Sequence, residues 1–246
     1  GSLSKRNYFE GWYFKHVSPD LEHVYSFIPG VSLSEETPHA FIQVIDGIID
    51  RSYYVQYDLN RFLWDTKKLY VKIGDSYFTE DGIHIEIKDG SVDFKGDVQY
   101  RNTVRYPSSI LSPGIMGWYS YVPHMECNHH IISITHELYG SIEANGDAAD
   151  FTGGKGYIEK DWGTSFPREW LWVHSNTFAN SNASMTFSVA NIPWLHSFFW
   201  GFIAFLYTDG NIYRFATYNR SHITKLCRDD AAIHISMENA SHRIDI

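Results

Sequence analysis

"DGIHIEIKDG", residues Asp81–Gly90, is the stretch from which the fold of this chain is read. Ile83, Ile85 and Ile87 fall on one side of an extended segment and His84, Glu86 and Lys88 on the other, the period of two of a strand with one buried face. An Asp-Gly pair bounds it at each end, and such pairs suit tight hairpin turns because both residues tolerate positive φ. Working outward, Gly74-Asp75 and Gly96-Asp97 continue the punctuation between Leu69 and Tyr100, which predicts a meander of short antiparallel strands. The signature returns at Asn145-Gly146, between Tyr139–Ala144 and Ala148–Thr152, and at Asp209-Gly210. Near the end, Ile233, Ile235 and Met237 alternate with His234, Ser236 and Glu238. No long, capped helical period occurs, so the expected class is all-β, a barrel or a sandwich. The aromatic share of 17% agrees, because aromatic side chains fit pleated, half-buried surfaces.

The 246 residues suffice for one large all-β unit or two modest ones. Net charge is −9 and Lys and Arg nowhere form a run, which excludes a counterion-release grip on nucleic acid and electrostatic docking on anionic lipid. Cys127 and Cys227 are the only cysteines, so neither a disulfide framework nor a zinc ribbon is expected, and a reducing, cytoplasmic setting fits. From the polar N-terminus no signal peptide is expected. The longest apolar stretch, Ile192–Tyr207, is interrupted by Pro193, His196 and Ser197 and is shorter than the roughly 20 residues of a spanning helix. No transmembrane segment is expected, whereas peripheral contact with a membrane surface is compatible with this stretch. Nucleotide-binding, nucleophile-elbow and zinc-protease motifs are absent.

The densest chemistry lies in "GGKGYIEKDWGTSFPREWLWVHSN", Gly153–Asn176. On a strand, Glu159 and Asp161 share one face, about 7 Å apart, and Lys160 and Trp162 share the other. Paired carboxylates can drive their pKa values apart and leave one protonated as a general acid; the alternative is a salt-bridged lattice closed by Lys160 or Arg168. Trp162, Trp170 and Trp172 either frame a cavity or pack a core. A second cluster, "PHMECNHHIISITHEL", holds His124, Glu126, Cys127, His129, His130 and His136. It lacks a compact pair at ligand spacing, so no metal site is expected, and acid or base duty falls to Glu126, His129 or His136. "FEGWYFKH" and "REWLWVHSN" each set an acid before an aromatic strand ending in His, a faint echo that places a boundary near Thr164–Pro167. The expected domains are 1–165 and 166–246.

Three blocks, "YFEGWYFK", "GWYSYVPHMEC" and "GGKGYIEKDWGTSFPREWLWVHSNTF", stand in the order of, and resemble, the motifs of the tocopherol cyclase-like family. Plant members carry a similar E-K-N-W-G-x-x-F-P-R-K-W-F-W-V-Q-x-N block; this chain has Asp161 in place of its Asn and His174 in place of its Gln. The resemblance implies two lipocalin-like antiparallel β-barrel or half-barrel units, the second small or incomplete because about 80 residues follow Pro167, few for an eight-stranded barrel. It also implies a hydrophobic small-molecule substrate and acid-catalysed closure of a ring on a prenylated quinol or related polyene. A proton reaches the alkene, the phenolic oxygen captures the tertiary cation, and neither metal nor other cofactor is required. The implied acids are Glu126, His129 and Asp161, and the implied substrate contacts are Trp12, Trp118, His136, Trp162, Trp172 and Asn176. Two other functions use such a pocket: non-catalytic carriage of a lipid or other apolar molecule, and hydration of an isoprenoid alkene.

Overall fold

The computed structural model describes residues 7–34, 36–90, 92–110, 112–122, 125–179, 182–194 and 197–246. It divides into two compact units, one of Gly1–Tyr106 with Met125–Phe166 and one of Pro107–His124 with Pro167–Ile246.

The first unit contains β1 (Tyr8–Val17), β2 (Val24–Leu33), β3 (His39–Asp46), β4 (Arg51–Tyr57), β5 (Phe62–Trp64), β6 (Tyr70–Ile73), β7 (Ser76–Thr79), β8 (Gly82–Asp89), β9 (Val92–Arg105), β10 (Cys127–Ala144), β11 (Asp147–Asp150) and β12 (Lys155–Gly163). All pair antiparallel in one sheet of order β4-β3-β2-β1-β12-β10-β9-β8-β7-β6-β5, with β11 on β10. The sheet curls into a nearly closed barrel. Its seam lies between β4 and β5–β6, where the Tyr57 ring packs so close to Gly74 that a Cβ there would meet it.

Alternation fills the interior. Ile83, Ile85 and Ile87 are buried, and they join Phe14, Phe27, Ile42, Phe78, Phe94, Leu138 and Ile158 in one core. Each such side chain contributes about 1.5–3 kcal/mol relative to exposure. The turns at Gly74-Asp75, Asp89-Gly90 and Asn145-Gly146 lie between paired strands as the sequence indicates. Gly96-Asp97 does not: both residues run inside β9, with Gly96 opposite Ile85 and Ile142. A Cβ on Gly96 would overlap the Ser141 carbonyl, so this glycine serves close strand approach rather than a turn.

The second unit contains β13 (Trp170–Ser175), β14 (Ser184–Trp194), β15 (Ser197–Thr208) and β16 (Asn211–Ala216) in one sheet. A further sheet holds β17 (His222–Arg228), β18 (Ile233–Glu238) and β19 (Arg243–Asp245). Phe187, Val189, Phe202, Ala204 and Phe215 of the first pack with Ile235 and Met237 of the second. Among the described residues these sheets do not close into a barrel, which is the half-barrel form of the expected architecture. The "FEGWYFKH" strand β1 lies between β2 and β12, whereas "REWLWVHSN" supplies an edge strand, β13. Helix is limited, among the described residues, to 3-10 turns at Leu59–Arg61, Gly117–Tyr121 and Thr217–Asn219, and no helix is long and apolar enough to cross a membrane.

Candidate functional site

The charged strip is strand β12, clasped between β1 and β10. Three-strand rungs cross this ribbon: Glu10–Trp162–Asn128, Gly11–Asp161–His129, Trp12–Lys160–His130, Tyr13–Glu159–Ile131 and His16–Gly156–His136. Neighbouring rungs project to opposite faces, so the strip's alternating charges part company.

One face is the barrel interior. Lys160 forms an ion pair with Glu10, and its Nζ lies 4.9 Å and 5.0 Å from the ring centres of Trp12 and Trp162. Tyr8 Oη donates to Glu10 Oε2 at 2.7 Å. Burial pushes the Glu10 carboxyl up, but Lys160 and Tyr8 outweigh it and hold the group below the usual range. Deeper in the barrel, His16 Nε2 and Tyr100 Oη are 2.7 Å apart, the Tyr100 and His136 ring centres 4.2 Å apart, and His136 Nδ1 and Ser133 Oγ 2.8 Å apart. Gly156 admits this pair, because a Cβ there would overlap the His136 ring. Both imidazoles are buried and neutral. Desolvation lowers His16 to about 3, and desolvation with His16 nearby lowers His136 to about 3.

The opposite face carries His129 with two carboxylates. His129 Nδ1 is 2.7 Å from Asp161 Oδ1 and its Nε2 is 3.5 Å from Glu159 Oε2; Tyr157 Oη donates to Glu159 Oε2 at 2.6 Å. Burial acts against the charged ring, but Glu159 and Asp161 prevail and raise His129 to about 9. The ring therefore holds both protons at neutral pH, with Nδ1 hydrogen-bonded to Asp161 and Nε2 in ion-pair contact with Glu159. Ser26 Oγ donates to Tyr13 Oη at 2.8 Å, and Tyr13 is pushed up to about 12 by burial, with the nearby Glu159 adding to it against that hydrogen bond. Cys127 is pushed up by burial, Asp161 and Glu159, which makes it a poor nucleophile. The three residues also offer a metal one atom each, all within 4.8 Å of one another. The same triad has the donor set of a proton relay and, with its atoms this close, of a cation site.

Of the residues singled out in the sequence, the structure brings together His129 and Asp161. Trp12, Trp162 and His136 turn to the barrel interior. Glu126 meets the strip through its backbone carbonyl, which accepts the N–H groups of Thr164 and Ser165. Trp118, Trp172 and Asn176 belong to the second unit, where the Trp172 and His174 rings stack with centres 6.0 Å apart, Asn176 is buried and Trp118 is exposed. His124 lies outside the described residues. Sequence reasoning missed His16, Tyr100 and Ser133, although His16 shares the parity of Trp12 and Phe14. Glu159, left open in the sequence between acid and lattice and not among the implied acids, is one of the two acids on His129.

Comparison with known proteins agrees with this architecture. The profile of the family described as tocopherol cyclase-like matches residues 82–246. The chloroplastic tocopherol cyclase of Zea mays is 31% identical over 74 residues, 30% of this chain, and the match spans 16% of that relative's length. The crystal structure of CghA with Sch210972 superposes with a TM-score of 0.59 at 11% identity, covering 95% of this chain and 72% of that one. Kievitone hydratase from Nectria haematococca gives 0.50 at 8% identity over the same shares. At these identities the two likenesses bear on the fold alone. With the matched profile taking in β8 to β19, and so both β10 and β12 of the ribbon, the chain belongs to the tocopherol cyclase-like family.

Proposed function

We propose that the chain is a cofactor-independent cyclase that closes an oxygen ring on a prenylated quinol or related polyene, with His129 as proton donor. The observation that carries this reading is the imidazole held protonated between Glu159 and Asp161 at a stated geometry. Family membership and the name of the maize relative supply the reaction class.

In the reaction, His129 gives a proton to the less substituted alkene carbon, a C–H bond forms, and the phenolic oxygen bonds to the tertiary carbon. The phenolic proton passes to Asp161 or Glu159 and returns to His129, so substrate and product are isomers. An imidazolium titrating near 9 is too weak to create a free tertiary cation. Proton transfer and C–O closure must therefore be concerted, with the carboxylate drawing off the phenolic proton as the bond forms. In this reading Trp12, Trp162 and His136 belong to barrel packing, because the indole faces already enclose Lys160.

The test is incubation with a panel of prenylated quinols in deuterium oxide. The expected product has one new carbon-bound deuterium and no added water. The rate should fall as pH rises through about 9, and His129→Gln should lower it by about 10²–10⁴. A product heavier by one water would make the protein a hydratase, binding without turnover would make it a carrier, and full activity in His129→Gln would remove His129 from the acid role.

A further inference from the structure

We propose that the Gly11 backbone is the floor of a subsite for a hydroquinone ring, walled by Phe9, Tyr13 and Phe41, with Asp161 at the ring's hydroxyl. The ligand class rests on the cyclase reading, and the subsite adds where that ring lies and which atom receives its phenolic hydrogen bond.

Gly11 lies inside β1, where glycine is an unfavourable choice because it loses much backbone freedom on folding and packs nothing. Every other strand glycine among the described residues has a steric reason, since a Cβ there would come within 2.6 Å of another heavy atom. Gly11 has no such reason. Its Cβ would meet Ile28 Cγ2 at 3.6 Å, the Pro29 carbonyl at 3.9 Å and the tip of the Phe41 ring at 4.0 Å, all ordinary contacts. Its φ is not in the left-handed region either. The fold thus accepts a side chain at position 11, yet the backbone there is left bare and partly exposed. A bare strand backbone of this kind marks close approach by a ligand.

The surroundings select a flat phenol. Gly11 shares its side of β1 with Phe9 and Tyr13, opposite the core residues Trp12 and Phe14. Phe9, whose ring stacks on Phe166 with centres 4.7 Å apart, flanks the glycine along the strand on one side and Tyr13 on the other. Across the sheet Gly11 pairs with Gly30 of β2 and with Asp161 of β12. The Phe41 ring covers Gly30 and stacks in turn on Tyr54, centres 4.9 Å apart. Beyond Asp161, one strand further, stands His129. Neighbouring strands are about 4.8 Å apart, so a ring resting on the Gly11 peptide brings an edge hydroxyl within reach of the Asp161 carboxylate. Asp161 Oδ1 is 2.7 Å from His129 Nδ1, whereas Oδ2 meets no donor among the described residues. That oxygen can accept the phenolic O–H, the group that closes the ring. A bare hydrocarbon chain would cover the carboxylate without giving it a hydrogen bond, and a sugar would not match the aromatic walls.

Calorimetric titration of the whole chain with geranylhydroquinone, without oxygen, tests this in wild type, Gly11→Ala and Gly11→Val. Both variants should fold with a Tm equal to or above that of wild type, because each removes a strand glycine that sterics do not require. Kd should rise about threefold in Gly11→Ala and at least about tenfold in Gly11→Val, where added methyl groups take the place of the ring. KM should rise in step while kcat changes by less than about threefold, the mark of lost uniform binding. Geranylbenzene, which lacks the hydroxyls, should bind wild type at least about tenfold more weakly than the hydroquinone. Binding without turnover in wild type, weakened in Gly11→Val, would remove the cyclase reading and support the subsite. Turnover with the same KM in wild type and folded Gly11→Val would keep the cyclase and overturn the subsite. Equal binding of geranylbenzene, or no binding of geranylhydroquinone by wild type, overturns it as well. Should Gly11→Val lose its β signature in circular dichroism, the Kd of Gly11→Ala decides, and a value equal to wild type overturns the proposal.

Discussion

The two faces of the β1–β12–β10 ribbon are built from alternate residues of the same strands and do opposite things with charge. Inside the barrel, Glu10 meets one ammonium and one phenol donor, two indole faces flank that ammonium, and the cluster is balanced. On the other face, two carboxylates meet one imidazole and a phenol. Histidines follow the same division: His16 and His136 inside are kept neutral, whereas His129 is kept protonated. Burial disfavours charge on all three rings, so the sign of the outcome depends on whether a carboxylate stands beside the ring.

The largest test of this contrast is stability against pH. His16 and His136 titrate near 3 when folded against about 6.5 when unfolded, so the unfolded chain binds protons first as pH falls. Their contribution is intact above 6.5 and is lost below it, at about 4 kcal/mol for the pair by pH 5. His129 works in reverse. Its folded value near 9 gives a contribution that is complete below 6.5 and lost as pH rises through 9, about 3 kcal/mol in all. Urea denaturation across pH should show both limbs. His136→Phe should flatten the acid limb by close to one proton, and His129→Gln the alkaline limb. An acid limb unchanged in His136→Phe would mean that this ring is not buried neutral.

A smaller effect separates balanced from surplus charge. Glu10→Gln leaves the Lys160 ammonium between two indoles without its carboxylate and should cost about 3 kcal/mol, near the lower end for breaking a buried pair because Lys160 keeps some contact with solvent. Replacing both partners, Glu10→Leu with Lys160→Met, should recover most of that loss, since apolar side chains of similar volume fill the space. If the double variant is no more stable than Glu10→Gln, the interior cluster is not a self-contained pair.

How much of this was open to sequence reading follows from the range of each contact. The buried face of Ile83, Ile85 and Ile87 and the shared face of Glu159 and Asp161 depend only on the period of a strand, and both are as read. Gly96-Asp97 misled because Asp-Gly chemistry marks turns, and only pairing of β9 with β8 and β10 reveals a glycine needed for close approach. The relay requires His129 to lie opposite Asp161, a register between strands 32 residues apart that is followed by two irregularities in β10. The His16–Tyr100 contact spans 84 residues. Alternation states which residues share a face of one strand, but not which strand will lie alongside.

The smallest expected effect concerns Asp161, where the family motif of plant members carries Asn. Asp161→Asn keeps a carbonyl oxygen that can accept from His129 Nδ1 and removes one of the two charges that raise the ring. Glu159 remains beside Nε2, so the imidazole stays above its ordinary value while falling by about one unit from its present level. Turnover at neutral pH should change by less than about threefold, because the ring is still mainly protonated there, while the alkaline fall in rate moves down by the same unit. A titration of the His129 ring protons by NMR reads the shift directly. If that titration stays near 9 in Asp161→Asn, Glu159 alone sets the charge of His129, and the outer face reduces to one acid and one base like the inner.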